Sequence, residues 1–168
     1  MTPKNAEKII DLISGDNLIY CQNSDSIKNK YFNTHSYLLE LFRNNLEKLK
    51  TRLIEKDDKA LDLLFYWNYH MCSGVYSEEI SSFIGSTMNI DMSYFLYGLT
   101  RNMKLVDGLG SFVLMDIYEN FYVPEKRCAE YEKIIKSLER INDSRIEKVK
   151  NDVLSILIKA KQEECVGF

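Results

Sequence analysis

The chain has 168 residues, of which 45% are hydrophobic and 28% are charged, and its formal net charge is −3. This is the composition of an ordinary globular protein, and only two prolines and seven glycines argue against a turn-rich β protein. No apolar run approaches the roughly 20 residues that a membrane-spanning helix needs, and the first residues lack a signal-peptide profile. We therefore expect one domain over residues 1–168, located in the cytoplasm and not in a membrane.

The predicted elements begin with a short helix from Thr2 to about Ile13, because Thr2 and Pro3 suit the N-cap and first helical positions. The polar residues 22–30 are expected to form a loop. From about Thr34 the apolar spacing predicts a long helix that turns one face toward a core. The apolar stripe of this helix is Leu38, Leu39, Phe42, Leu46, Leu49 and Leu53.

Two further helices are predicted in the middle of the chain. Asp57 and Asp58 are expected to cap a helix from Lys59 to about Cys72 that is apolar nearly all round, as central helices usually are. Ser77 is a suitable N-cap for the next helix. Glu78 and Glu79 would then lie in its first turn, where the helix dipole favours anions.

Glycines and caps mark the next boundaries. The fourth helix is expected to end near Gly85, and Asn89 or Asp91 is a suitable cap for a fifth helix that runs through about Val106. The glycines of the segment 108–110 are expected to break that helix.

The C-terminal part predicts three helices. The first covers roughly Ser111–Tyr122, and Pro124 opens a second that runs to about Ile141. The turn Asn142–Ser144 separates it from a last helix, so that these two should form an antiparallel αα-hairpin. The fold class predicted for the whole chain is all-α, a multi-helix bundle of about seven or eight helices.

Cysteine and histidine usage predicts neither a metal nor a cofactor. The four cysteines stand far apart without a C-x-x-C motif, and the two histidines, His35 and His70, belong to no H-E-x-x-H motif. Isolated cysteines in a cytosolic chain are usually small buried hydrophobes. We therefore expect free thiols at Cys21, Cys72, Cys128 and Cys165.

The charges are distributed unevenly along the chain. Residues 1–54 carry a net charge of +2 and residues 124–168 a net charge of +1, whereas residues 55–123 carry ten acidic and four basic side chains, a net charge of −6. The same segment holds seven of the eleven tyrosines. Carboxylates attract a basic partner, and tyrosine offers contact area at low entropic cost. The expected partner contacts are Tyr76, Glu78, Glu79, Asp91, Asp107, Asp116 and Glu119.

Patterns for chemistry are weaker. Asp116 and Glu119 are spaced to share a helix face, so a metal or catalytic pair is conceivable, but no histidine or third acid stands at a helpful spacing. The segment 78–104 has the layout of a helix-turn-helix, yet Asp91 stands early in its second helix, where DNA readers place basic or amide side chains. These features argue against an enzyme and against nucleic acid as a partner.

A family resemblance points the same way. The segment LDLLFYWNYHMCSGVYSEEISSFIG, within residues 31–89, resembles the N-terminal helical portion of polymorphic-toxin and contact-dependent inhibition immunity proteins of bacteria. In that group an aromatic helix is followed by a Tyr-Ser turn and an acidic helix start, here resembled by residues 75–79. The resemblance implies an all-α inhibitor that binds a cognate toxin domain, often a basic nuclease, and blocks its working surface.

Two other classes stay open. The first is a viral or bacterial effector that binds a host helix in a hydrophobic groove, as helical apoptosis regulators of the B-cell-lymphoma type do. Trp67 stands in Tyr-Trp-Asn, however, and not in the Asn-Trp-Gly-Arg motif of such a groove. The second is an enzyme that gathers Asp116, Glu119 and a histidine from distant segments.

Overall fold

The computed structural model describes residues 46–70, 74–106 and 108–165. These residues form helices joined by short turns, with no strand among them, which confirms the all-α prediction. The chain divides into two compact units between Ser77 and Glu78. The predicted helix at 2–13, the loop at 22–30 and the start of the long helix lie outside the described residues, and the single domain stays a prediction.

The first unit contributes two described helices. Helix α1 is described over residues 46–54, and helix α2 spans Asp58–His70. Both agree with the predicted apolar stripes, since α1 buries Leu49 and Leu53. The buried apolar side chains of α2 are Ala60, Leu61, Leu63, Leu64, Phe65 and Trp67.

A tight turn joins α1 to α2. Lys56 adopts a left-handed backbone conformation with φ of 56°, and its N–H donates to the Leu53 carbonyl at 2.9 Å. The Asp57 N–H donates to the Arg52 carbonyl, also at 2.9 Å, which completes a Schellman-type helix end. The Asp57 carboxylate then accepts from the Lys59 N–H at 3.0 Å, so Asp57 caps α2 as predicted.

Helix α3 spans Gly74–Gly85 and therefore begins before the predicted N-cap at Ser77. That N-cap prediction is wrong, because the backbone is already helical from Gly74 onward. Glu78 and Glu79 consequently lie beyond the first turn, which carries no acidic residue. Since the dipole effect fades within one turn, dipole capping does not explain these two glutamates.

A short helix not predicted from the sequence follows α3. Helix α4 is a single turn, Thr87–Ile90, and helix α5 spans Met92–Asn102 with a 3₁₀ turn over Met103–Leu105. The Asp91 carboxylate accepts from the Tyr94 N–H at 3.0 Å and caps α5, which confirms one of the two predicted caps.

Helix α6 spans Leu109–Asn120. Gly108 precedes it with φ of 80°, a conformation that glycine adopts without a steric penalty. Gly110, by contrast, lies inside the helix, so its predicted role as a helix breaker is wrong.

Helices α7 and α8 form the predicted antiparallel hairpin. Helix α7 spans Pro124–Glu139 and α8 spans Glu147–Glu164, and they contact each other along their length. Helices α5 and α6 also contact α8, which makes α8 the common support of this unit. The buried apolar residues of α8 follow a helical stripe, Val149, Val153, Leu157 and Ala160. No helix in the described ranges is long and apolar enough to cross a membrane.

A disulfide closes the open end of this hairpin. Cys128 of α7 and Cys165, which follows α8, are bonded with their Cα atoms 5.9 Å apart. The prediction of free thiols is therefore wrong for these two cysteines, because helix pairing brings together residues that are 37 positions apart in sequence. Cys21 and Cys72 lie outside the described residues.

The contact between α3 and α6 depends on a glycine. A Cβ atom at Gly85 would lie 2.6 Å from the Phe112 carbonyl oxygen and 3.2 Å from the Asp116 Cβ, distances that a side chain cannot accommodate without movement of the helices. The absence of a side chain at Gly85 thus allows the α6 backbone at Phe112 to lie close to α3.

Substituting this glycine tests the packing. We expect Gly85→Ala to lower the free energy of unfolding by about 2 kcal/mol, because the added methyl meets backbone. Gly110→Ala is the matched control, since nothing lies within 4 Å of its added Cβ and alanine favours a helix; it should raise stability by up to about 1 kcal/mol. Urea denaturation measures both, and equal effects of the two substitutions would contradict the proposed close approach.

Candidate functional site

The predicted contact residues fall into different environments. The side chain of Tyr76, and Asp107 as a whole, lie outside the described residues. Glu78 is exposed and Glu79 is half-buried. Asp91 uses its carboxylate to cap α5, as described above.

Asp116 lies in the interior. Only 5% of its surface is exposed, and its carboxylate accepts hydrogen bonds from the side-chain amides of Asn89 at 3.1 Å and Asn120 at 2.9 Å. Burial, followed by the neighbouring charge of Glu119, raises the pKa of Asp116, the two amides lower it, and the net result is a pKa of about 6. Asp116 therefore holds elements together and does not present its carboxylate to a partner.

The register of α6 explains this burial. Phe112, Val113, Asp116 and Ile117 occupy one helical face, and all four are buried. The sequence carried this signal, because an acid spaced three and four residues from apolar neighbours shares their inward face. The residues that satisfy Asp116, namely Asn89 and Asn120, were not predicted as part of a site.

Glu119 is the exposed member of the predicted acidic pair. Its carboxylate accepts a hydrogen bond from the Ser82 hydroxyl of α3 at 2.5 Å, while the residue as a whole remains exposed. Asp116 and Glu119 are thus neighbours, as their spacing predicted. Among the described residues, no group of three histidine, cysteine or acidic side chains is arranged to hold a metal ion.

A second cluster, the Glu164 network, joins the ends of three helices. The Glu164 carboxylate accepts from the Tyr118 hydroxyl of α6 at 2.6 Å and from the Tyr131 hydroxyl of α7 at 3.2 Å. Arg127 donates to the same carboxylate at 2.9 Å and stands over the Tyr118 ring, 5.6 Å from its centre. We define the Glu164 network as Tyr118, Arg127, Tyr131 and Glu164.

The electrostatics of this network follow from its geometry. Burial acts to raise the pKa of Glu164, but hydrogen bonds from Tyr118, Arg127 and Tyr131 together lower it. Burial raises the pKa of Tyr131 and of Tyr118, and the hydrogen bond from Tyr118 to Glu164 raises that of Tyr118 further. Glu164 is therefore charged and both phenols are neutral at physiological pH.

Arg127 links this network to the exposed connection between α6 and α7. Its guanidinium donates to the carbonyls of Phe121 and Tyr122, each at 3.1 Å. We call residues 121–123 the α6–α7 corner. Tyr122 is 83% exposed and Val123 is 46% exposed, so the corner presents apolar surface to solvent.

Together these residues define a candidate binding surface at the C-terminal end of α6. Its exposed members are Tyr118, Glu119, Tyr122, Val123 and Glu125. Tyrosine and a few carboxylates beside it suit protein recognition better than a chemical step. Of this set only Glu119 is a contact predicted from the sequence. Tyr122 is one of the seven tyrosines of the acidic segment, and nothing in its own spacing indicates exposure.

Another tyrosine of the acidic segment is engaged elsewhere. The Tyr97 hydroxyl of α5 donates to Asp143 in the turn between α7 and α8, and Arg145 donates to the same carboxylate at 2.8 and 3.0 Å. The Arg145 side chain, followed by Tyr97, holds the pKa of Asp143 well below its usual range. Tyr94 is buried, so neither tyrosine belongs to the candidate surface.

Comparisons with family models, with curated proteins and with solved structures find no match to this chain. The candidate surface therefore stands on the geometry and charge of its own residues.

Because the buried carboxyl of Asp116 titrates, the free energy of unfolding should depend on pH. Its pKa in the folded chain, about 6, is higher than the ordinary value of an aspartate carboxyl, so the folded state binds the proton more tightly. Its contribution to stability is therefore complete at low pH and falls as pH rises through the folded pKa. Between about pH 5 and about pH 7.5 the expected loss is about 1 kcal/mol.

Asp116→Asn should remove this loss, because the amide does not ionise. Urea denaturation at both pH values, read as the difference between wild type and variant, isolates this carboxyl from other titrating groups. Glu125→Gln on the exposed surface is the control and should leave the pH dependence unchanged. An identical pH dependence of wild type and Asp116→Asn would rule out a buried, proton-binding Asp116.

Proposed function

We propose that this chain is an immunity-type inhibitor that binds a basic protein domain, of the kind found in bacterial toxins, and covers its working surface. The observation that carries the proposal is the pairing of an acidic segment, net −6 over residues 55–123, with exposed tyrosines beside an exposed carboxylate at its C-terminal end. The resemblance of residues 31–89 to immunity proteins supports the same class.

The main candidate contacts in this proposal are exposed side chains. Glu78 and Glu119 offer exposed carboxylates. Tyr118, next to Glu119 in sequence, and Tyr122 in the α6–α7 corner offer exposed aromatic area. Asp116 and Asp91 act as structural residues, through burial and helix capping respectively. Tyr76, Glu79 and Asp107 are retained as candidate contacts.

The mechanism is electrostatic attraction followed by occlusion. A net negative segment raises the rate of encounter with a positively charged partner, and this acceleration is screened by salt. After docking, a few well-packed aromatic side chains supply most of the binding free energy. An inhibitor of a nuclease would thereby take the place of the anionic substrate.

The first test concerns charge. The test partner is the product of the gene adjacent to the one that encodes this chain. Association should slow by about tenfold or more when ionic strength rises from about 0.05 to about 0.5 M, as steered encounters do. Surface plasmon resonance or stopped-flow fluorescence measures this rate. An association rate that does not change with salt concentration would contradict electrostatic steering.

Charge reversal locates the surface. The double variant Glu78→Lys and Glu119→Lys should reduce the association rate more than Glu139→Lys with Glu163→Lys, which makes the same change of net charge on exposed acids of α7 and α8. Circular dichroism checks that both variants fold. Equal slowing by the two pairs would show that only total charge matters and that the central segment has no special role.

The second test concerns the exposed tyrosine. Tyr122→Ala should weaken binding by tenfold or more, mainly through faster dissociation, because aromatic anchors carry interface energy. The same substitution should change the free energy of unfolding by less than about 0.5 kcal/mol, since the side chain is exposed. Tyr97→Phe is the control outside the surface, and a Tyr122→Ala variant with unchanged affinity would exclude the α6–α7 corner from the interface.

A further inference from the structure

Three helix ends converge near the C-terminal end of the described chain. The end of α6 supplies Tyr118, the start of α7 supplies Arg127, and the end of α8 supplies Glu164. Each contact passes through the single Glu164 carboxylate. The Cys128–Cys165 disulfide lies directly beside them in sequence, one position after Arg127 and one position after Glu164.

The position of Glu164 depends on how firmly the last turn of α8 is held. Helix ends fray at low free-energy cost unless something fixes them. Here the Cys165 N–H donates to the Lys161 carbonyl at 2.9 Å, and the disulfide ties Cys165 to α7. Because the covalent bond is adjacent to Glu164, it keeps that carboxylate within reach of Arg127.

Arg127 transmits this constraint to the α6–α7 corner. The same guanidinium that pairs with Glu164 also donates to the carbonyls of Phe121 and Tyr122. When the ion pair with Glu164 is lost, the Arg127 side chain is free to move. The carbonyls of Phe121 and Tyr122 then lose a fixed hydrogen-bond donor. A chain of contacts thus runs from the disulfide to the exposed Tyr122.

We infer that the Cys128–Cys165 disulfide is a redox-sensitive brace that holds the α6–α7 corner in place, and that a dithiol reductant releases the corner. Both cysteine residues are only partly buried. One thiolate of the dithiol attacks a sulfur of the disulfide, which breaks the protein S–S bond, releases the other cysteine as a thiolate and forms a mixed disulfide. The second thiolate of the dithiol then displaces the remaining cysteine as a thiolate, and both cysteine thiolates take up a proton. Two electrons and two protons pass to the protein, leaving two thiols, and the dithiol becomes a disulfide.

The brace itself is independent of any partner, but its consequence for binding rests on the proposed function. With the disulfide intact, the corner would present Tyr122 in one arrangement. After reduction of the disulfide, the corner would have to be ordered during docking. Binding that orders a mobile segment is weaker for the same contacts. Reduction is therefore expected to weaken association with the basic partner.

Limited proteolysis tests the brace without a partner. Chymotrypsin cleavage after Phe121 and Tyr122 reports on the corner, and trypsin cleavage after Arg140 reports on the opposite end of the hairpin. The full chain is compared as the oxidised protein, after dithiothreitol, and as the Cys128→Ser/Cys165→Ser double variant, which isolates this bond from other cysteines. Mass spectrometry after alkylation identifies which thiols have formed.

We expect reduction and the double variant each to raise cleavage at the corner at least tenfold, with cleavage after Arg140 raised less than twofold. Glu164→Ala, with the disulfide intact, should also raise cleavage at the corner, and reduction of that variant should add little more. Glu163→Ala, which alters the neighbouring exposed acid, is the matched control and should behave as wild type.

Several outcomes would overturn the inference. An unchanged rate of cleavage at the corner on reduction would contradict it. An equal rise in the rate of cleavage after Arg140 would also contradict it, because that rise signals a general loss of stability. Resistance of Cys128 and Cys165 to dithiothreitol in the folded chain would do so as well. Failure of the salt and charge-reversal tests would remove the proposed function while leaving the proteolysis result to stand on its own.

Discussion

The packing of the second unit depends on one amphipathic helix. Helix α8 is contacted by α5, α6 and α7, and its buried residues recur at spacings of three and four, from Val149 to Ala160. A stripe with that spacing fixes the face that each neighbouring helix must meet. The positions of the surface residues on α6 and of the corner before α7 therefore follow from how these helices seat on α8.

The end of this helix carries an unfavourable charge that the structure has to offset. A carboxylate in the last helical turn opposes the negative end of the helix dipole, yet Glu164 lies there. A guanidinium and two phenol hydroxyls donate hydrogen bonds that stabilise the Glu164 carboxylate and lower its pKa despite burial. Glu164 is thus unfavourable for its own helix end but joins three helix ends through its donors. Because Glu164 must stay within reach of those donors, its position is sensitive to the nearby disulfide.

Most of the fold could be predicted from local signals in the sequence. The contacts between residues far apart in sequence could not. Pro124 and the turn after Glu139 defined the hairpin, and the cap at Asp91 was readable from residue type. The start of α3 was misplaced because serine is also tolerated inside a helix, so its presence did not fix a boundary. The disulfide and the Glu164 network each join residues more than 30 positions apart, and no local pattern encodes such pairs.

The candidate surface shows why a count of charges and a list of contacts are different quantities. The field that draws in a partner depends on every ionised group, including partly buried ones such as Asp57 beside Arg52. Direct contact depends on exposure, and by that criterion Asp116 drops out although it contributes to the net charge of the segment. Because its pKa lies near 6, its share of the field also declines in mildly acidic solution. Steering and docking are therefore carried by overlapping but distinct sets of residues, and only the second set can be located from the arrangement of the helices.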